Sequence, residues 1–376
     1  MLAQSPVAGD TRVLREAATL AEAGYEVRVI GRDVPAGFVP PAGVTVESVA
    51  KARGLRSGDR PDRDPLPIRA ARWLLLPEHR ARVEAAWNDT ARRLADANPV
   101  ADVVHAHDFN TLELGAELAD RWGARLVYDS HELWAGRPRV GRPTPVLTRR
   151  TRRREGALAS GAAAVLTVGD GLAEILLGWY GLSNVRVVRN TFPRLEEPAT
   201  ALESPAGLIY AGRLAPDREL EVIAAASRRL ALPVTLIGPA DEGWLGEFDP
   251  GHAKVLPPAP IEEIDQLLAG AGLALVTHSD RWLNHRLALP NKLYHAVRVG
   301  IPVVATDVGE LAREVRAYGL GTLYRPGDAT ALADAVDEAI RSYPRLCGAV
   351  AAAAGKLSWD RDAAILLEVY AGLAGT

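Results

Sequence analysis

The sequence predicts an α/β protein made of two doubly wound parallel-sheet domains, and three observations predict it. The chain has 376 residues, more than one hydrophobic core usually serves, so two domains are the first expectation. Short β-rich apolar runs alternate with longer segments of helical periodicity along the chain, the rhythm of parallel sheets with crossover helices. That rhythm lapses at RLEEPATALESPA, residues 194–206, where proline and charge mix without a period, and then resumes.

The elements follow in order. DTRVLREAATLAEA (10–23) carries Val13, Leu14, Ala17, Ala18 and Leu20 at helical spacing, with Asp10 or Thr11 as the cap. Gly24 ends that helix and YEVRVIG reads as a strand. A strand should precede the helix, and MLAQ offers at most its last few residues, so the first strand is expected to be cut short. GVTVES, the helix RVEAAWNDTARRLADA, ADVVHAHD, the helix TLELGAELADRWG, ARLVYDSHE, AAVLTVGD and VRVVRNTFP complete a first domain over 1–193. After the linker at 194–206, a second domain over 207–358 runs through GLIYAGR, ELEVIAAASRRL, PVTLIGP, KVLPPAP, IEEIDQLLAGA, LALVTHS, PNKLYHAVRVG, PVVATD and GTLYRP. Residues 359–376 form a last helix expected to return to the first domain. Two such sheets are expected to face a cleft, with ligands at the carboxyl ends of the strands.

With 48% hydrophobic and 24% charged residues, the composition is that of a globular protein. A net charge of −3 supplies no general drive toward nucleic acid. A single cysteine cannot form an internal disulfide and fits a reducing cytosol. No apolar run approaches the roughly 20 residues a membrane-spanning helix needs, and no signal peptide is evident. The expected location is therefore the cytoplasm, with the inner face of the membrane kept open.

Several strand ends carry chemistry. ADVVHAHD places His105, His107 and Asp108 together; a metal site shared with DSHE is the lesser reading. The preferred one has His107 at the strand end offering an imidazole to a substrate, and His105 buried and satisfied by backbone. In DSHELW, Asp129 and Glu132 are either an acid/base pair or a helix cap paired with RPRVGR. In AGRLAPDREL, Gly212 permits close backbone approach, and Arg213 and Arg218 are two cations at a strand end and helix start, which suits a diphosphate. Only four lysines stand against 40 arginines, and Lys292 in PNK adds a third cation from another loop. RRTRRRE (149–155) is a basic cluster read as a solvated helix face, with anionic lipid or a phosphorylated acceptor as alternatives.

Taken in order, DTRVLREAATLAEAGYEV, ADVVHAHDFNTLELGAELA, ARLVYDSHELW, AAVLTVGDGLAEIL, VRVVRNTFP, LIYAGRL, LNHRLALPNKLYHAVRVGIPVVATDVGE and GLGTLYRPGD resemble the blocks of the retaining GT-B glycosyltransferases of glycosyltransferase family 4, over nearly the whole chain. The resemblance implies a GT-B fold of two Rossmann-like domains, acceptor-binding then nucleotide-sugar-binding. It puts the glycine-containing loop at Ala8-Gly9-Asp10, the histidine facing the donor sugar at His107, and the diphosphate-binding arginine at Arg213. Arg218 stands where the family has lysine, and Asn291 and Lys292 match the donor loop that holds the β-phosphate. The family's two acidic residues, eight apart, fall at Leu287 and His295, so ribose binding is expected to differ.

The implied reaction is transfer of a hexose from a nucleoside diphosphate sugar, UDP-sugar favoured, to an acceptor hydroxyl with retention. No cofactor or metal is expected, the three cations standing in its place. The catalytic residues are then His107, Arg213 and Lys292, with Gly9, Gly212, Arg218, Asn291 and His295 as donor-binding. The acceptor is a carbohydrate, lipid-linked or small molecule, contacted by loops around Gly9, residues 52–68 and residues 134–145, with peripheral membrane contact kept open. The rival readings are a non-catalytic GT-B subunit that binds a partner glycosyltransferase, and a sugar-nucleotide epimerase using Asp129 and Glu132.

Overall fold

The computed structural model describes residues 1–50, 83–137, 145–196, 202–216 and 218–374. The acceptor-loop expectation at 52–68 lies outside the described residues, as does 138–144 of the second loop. The chain divides into two compact units, Met1–Val188 with Ala363–Thr376, and Arg189–Asp362.

The first unit is a seven-stranded parallel sheet. Its strands are β1 (Leu2–Pro6), β2 (Val27–Arg32), β3 (Val44–Val49), β4 (Val103–His107), β5 (Arg125–Ser130), β6 (Ala164–Thr167) and β7 (Val185–Val187), in the order β3-β2-β1-β4-β5-β6-β7. β1 has five residues, as many as β4, and pairs on both sides, because Leu2 and Ala3 are buried in the middle of the sheet. Its helices are α1 (Thr11–Glu22), α2 (83–96), α3 (Phe109–Trp122), α4 (Pro145–Ala159) and α5 (Asp170–Tyr180). Asp10 caps α1 by accepting from the Val13 amide at 3.2 Å.

The second unit has six parallel strands, β8 (Gly207–Ala211), β9 (Val234–Ile237), β10 (Lys254–Leu256), β11 (Gly272–Val276), β12 (Val303–Thr306) and β13 (Gly321–Tyr324), in the order β10-β9-β8-β11-β12-β13. Their helices are α6 (Leu220–Ser227), α7 (Glu242–Leu245), α8 (Ile261–Ala271), α9 (Leu283–Leu287), α10 (Asn291–Val299), α11 (Gly309–Tyr318), α12 (Ala329–Arg341) and α13 (Tyr343–Ala354). A final helix, α14 (Trp359–Ala374), begins in this unit and, from Ala363 on, belongs to the first.

Strand alternation explains the second unit's packing. Ile209, Ala274, Val276, Val303 and Ala305 share one core cluster with α8, α10 and α11. Leu208, Tyr210, Leu273, Leu275 and Val304 point the other way, into a cluster with α6 and α12. Both faces are covered, which is why these strands read as continuous apolar runs. In each sheet the strand order reverses beside the first strand of the unit, at β1/β4 and β8/β11. Such switch points leave a crevice at the strands' carboxyl ends.

Leu293 is fully buried in the first of those clusters and follows Lys292 on α10. Leu293→Ala is expected to cost roughly 2–5 kcal/mol of unfolding free energy in urea titrations, whereas the exposed Ile261→Ala should cost well under that.

Candidate active site

In the first unit, the ends of β4, β5 and α1 build one buried charged cluster. Register alone sets His107 opposite Asp129. β4 stays extended, so His105 and His107 share a face and their rings stack at 4.3 Å. Asp129 is the hub. It receives a bidentate contact from Arg12, Nε to Oδ2 at 2.8 Å and Nη2 to Oδ1 at 2.7 Å. His131 Nε2 lies 2.8 Å and His107 Nδ1 3.2 Å from the same Oδ2. The third guanidinium nitrogen, Nη1, donates to the Val188 carbonyl at 2.7 Å.

Burial alone would raise the Asp129 carboxyl, but Arg12 and then His131 hold it well below the usual carboxylate range. Burial pulls His131 down, and Asp129 and then Asp108 outweigh it and lift the imidazolium to about 9. Burial takes His107 to about 4 against the pull of Asp129, so its ring is neutral. With Nδ1 facing a carboxylate, the neutral ring donates there and Nε2 keeps its lone pair. Nε2 has no hydrogen-bond partner and the residue is 2% exposed. Burial likewise raises Glu16 to about 8, against Arg12, and neither of its oxygens receives a hydrogen bond.

His105 is buried as expected, but its partner is corrected. Nδ1 lies 2.8 Å from the Tyr370 hydroxyl of α14 and not on a backbone carbonyl. Ligand atoms of Glu16, His105, His107 and Asp129 lie within 4.8 Å of one another. Arg12 and the His131 imidazolium already supply two positive charges at that point, so protein groups compensate its carboxylates. Glu132 is separate from the cluster, paired with Arg137 at 2.9 Å. Asp108, at the tip of β4, has φ 63° and ψ 164°, a region almost reserved for glycine. Its carboxylate accepts the His131 amide at 3.0 Å. Gly9 closes the short turn after β1, and a Cβ there would meet nothing within 4 Å, so the fold does not itself demand a glycine.

In the second unit the chemistry gathers at the β8/β11 switch point. Lys292, in the first turn of α10, sets its ammonium 4.9 Å from the centre of the Tyr210 ring. A Cβ on Gly212 would lie 2.3 Å from Lys292 Cε and 2.9 Å from Nζ, so a side chain there would push the end of the lysine out of this position. Burial, then the charge of Arg218, lowers the ammonium to about 8; no carboxylate contributes among the described residues. Arg218 is held from behind by Thr277, whose hydroxyl donates to the Arg218 carbonyl at 2.8 Å. His278, next in the chain, is taken to about 3 by burial, then His285, Lys292 and Arg218. The Arg213 side chain is exposed, and its carbonyl accepts the Tyr210 hydroxyl at 3.1 Å. Asn291 begins α10, and its side-chain oxygen accepts from Asn190 at 3.0 Å.

His295 stands apart from this group. Its Nε2 is 2.5 Å from Asp265 of α8 and its ring stacks on Phe192 at 5.1 Å. Arg298 pairs with the other oxygen of Asp265 at 3.3 Å. The structure thus brings Gly212, Arg218 and Lys292 together, and gives His295 a carboxylate partner of its own. Leu287 is buried at the end of α9.

Two parallel sheets of Rossmann-type order, each with a polar group at its switch point, match known proteins end to end. Residues 8–191 match the glycosyl transferase 4-like domain, and residues 205–342 match glycosyl transferases group 1. The chain belongs to the family 4-like GT-B glycosyltransferases. It is 27% identical to D-inositol 3-phosphate glycosyltransferase of Paenarthrobacter aurescens, over 98% of this chain and 94% of that protein. It is 25% identical to glycogen synthase of Mycobacterium tuberculosis, over 93% and 87%. Among solved structures, sucrose-phosphate synthase of Thermosynechococcus elongatus has a TM-score of 0.70 at 18% identity, over 100% of this chain and 99% of that one. HepE of Anabaena, solved with UDP, has a TM-score of 0.66 at 17% identity, over 99% and 98%. At those identities the structures speak for the fold alone. The glycosyltransferase is an enzyme of the EC 2.4 class. No described helix is long and apolar enough to cross a membrane.

The sequence reading passed over Arg12, Glu16 and His131. Their signal was available in one respect: two adjacent parallel strands ending HAHD and DSHE must set those ends side by side.

Because the folded His131 imidazolium titrates near 9 and the free side chain near 6.5, its contribution to stability is complete below pH 6.5 and is lost as pH rises through about 9. Stability measured by denaturant midpoint should therefore fall across that window, and more steeply in the parent than in His131→Gln. Equal slopes would remove His131 from the cluster's charge balance.

Proposed function

We propose that this glycosyltransferase moves a hexosyl group from a nucleoside diphosphate sugar, UDP-sugar favoured, to an acceptor hydroxyl with retention and without a metal. One observation carries the proposal: Lys292 is a partly buried cation without a carboxylate partner among the described residues, packed on Gly212 and Tyr210 beside Arg218. Burying an unpaired charge is costly. A diphosphate offers the opposite charge, and the amides in the first turn of α10 add donors and a positive dipole end.

In this reading Lys292, Arg218 and Arg213 stabilise charge building on the departing diphosphate. The bond from the anomeric carbon to the phosphate oxygen breaks, and the acceptor oxygen bonds to that carbon on the same face. The acceptor proton passes to the departing phosphate oxygen, so no protein nucleophile is needed. His107 serves the donor sugar through Nε2, an acceptor that Arg12 and Asp129 hold in one tautomer. Gly9, on the turn after β1, has open space where a Cβ would stand, which is left for sugar or acceptor. The UDP bound in HepE supports uridine as the first nucleotide to test. His295 and Asp265 together occupy the region where the family resemblance calls for one carboxylate, and they are the place to look for altered ribose contacts. The half-exposed single cysteine fits a reducing cytoplasm. The epimerase alternative is disfavoured, since Asp129 and Glu132 are both held by arginines.

Thermal-shift and calorimetric titration with UDP, GDP, ADP and TDP should find one nucleoside diphosphate that stabilises the protein. Lys292→Ala should weaken that ligand by at least tenfold, in line with loss of a charge-assisted contact of about 1.5–3 kcal/mol. If no diphosphate binds, or if the variant binds as the parent does, the proposed clamp is wrong.

A further inference from the structure

The arginine-rich helix α4 takes part in nothing described so far. It buries only Glu155, Gly156 and Ala159, and Arg149, Arg150, Arg152, Arg153 and Arg154 are all exposed. Arg154 pairs with Glu113, and Arg152 lies over the Trp179 ring at 4.1 Å. Arg149, Arg150 and Arg153 have no carboxylate partner among the described residues. Helical spacing sets Val146, Arg150, Arg153 and Ala157 on the side opposite the buried residues.

A groove of about 540 Å³ runs between α4 and α5, walled by Arg149, Arg152, Arg153, Ser160, Trp179 and Tyr180. The same two helices carry exposed aliphatic side chains, Val146 at 61%, Leu147 at 40% and Leu177 at 41%. A solvated helix face accounts for the arginines, but not for an aromatic-walled groove and bare aliphatics on the same helices. A phosphate surface such as a nucleic acid accounts for the charge and leaves the aliphatics idle.

We propose that this face docks on an anionic lipid bilayer, with a lipid phosphate in the α4–α5 groove and Val146, Leu147 and Leu177 entering the interface. Arginine suits the position, because its long stem lies along apolar surface while the guanidinium reaches the headgroups. Trp179 has the amphipathic ring that settles at that depth, while the Tyr180 hydroxyl donates to the buried Glu155 at 2.8 Å and fixes the groove wall. A polybasic patch combined with inserted aliphatics is a two-part anchor, and two parts are what reversible attachment needs. The attachment is independent of which nucleotide or acceptor the enzyme uses.

The test is co-sedimentation of the full chain with vesicles of phosphatidylcholine alone and of phosphatidylcholine with phosphatidylglycerol. Binding is expected to the anionic vesicles only, and to weaken as salt is raised. Arg149→Gln, Arg150→Gln and Arg153→Gln combined should weaken it on the order of 100-fold, at about fivefold per arginine, with an unchanged thermal midpoint because all three are exposed. Leu177→Ser should lower the binding that persists at high salt. Equal binding to both vesicle types, full retention in the triple variant, complete displacement by inorganic phosphate at matched ionic strength, or tighter binding to an oligonucleotide would each overturn the proposal.

Discussion

A parallel strand ladder delivers the carboxyl ends of neighbouring strands to one edge of a sheet, and the chemistry of this protein hangs on that constraint. In the first unit the β4–β5 register sets His107 against Asp129. In the second, β8 and β11 run side by side, so the loop of Gly212 and Arg218 meets the end of β11 at Thr277. Reverse the direction of one strand in either pair and the groups would be parted by the length of the sheet. Gly212 serves the same arrangement, because the end of the Lys292 side chain lies where a Cβ would stand.

The two clusters solve the problem of buried charge in opposite ways. In the first cluster the central charges are paired: Asp129 has Arg12 and His131, and Arg12 also reaches a carbonyl. Removing one member would strand the others, which makes such a cluster rigid and keeps the His107 ring in one tautomer. In the second unit Lys292 and Arg218 are like charges near each other, and the protein supplies no described carboxylate to balance them. That imbalance is the observation on which the proposed diphosphate site rests.

Much of this was legible in the sequence. Alternation of strands and helices carried the two-sheet architecture, and the lapse of period at 194–206 falls just past the observed division after Val188. Of the three cations expected to converge, Arg218 and Lys292 lie near each other and the Arg213 side chain is exposed. What escaped was long-range pairing. Arg12 and Asp129 lie 117 positions apart, and Arg12 reads as any other arginine of an arginine-rich chain. The partner of His105 comes from Tyr370, 265 positions away. The first strand lacks the run of β-branched residues that marks its neighbours, yet pairing with β2 and β4 holds it extended. His295 was weighed against the carboxylate it replaces, and its own carboxylate, Asp265, sits on another helix where no spacing rule could find it.

The central claim is that Lys292, its ammonium brought down to about 8 by burial and Arg218, is the cation that meets a diphosphate. Binding an anion beside it must raise it again, and near pH 8 that means taking up a proton. Calorimetric titration of UDP at that pH, in buffers of different ionisation enthalpy, counts the protons directly. Uptake is expected for the parent and should be diminished in Lys292→Met. The same proton count in both proteins would contradict the account.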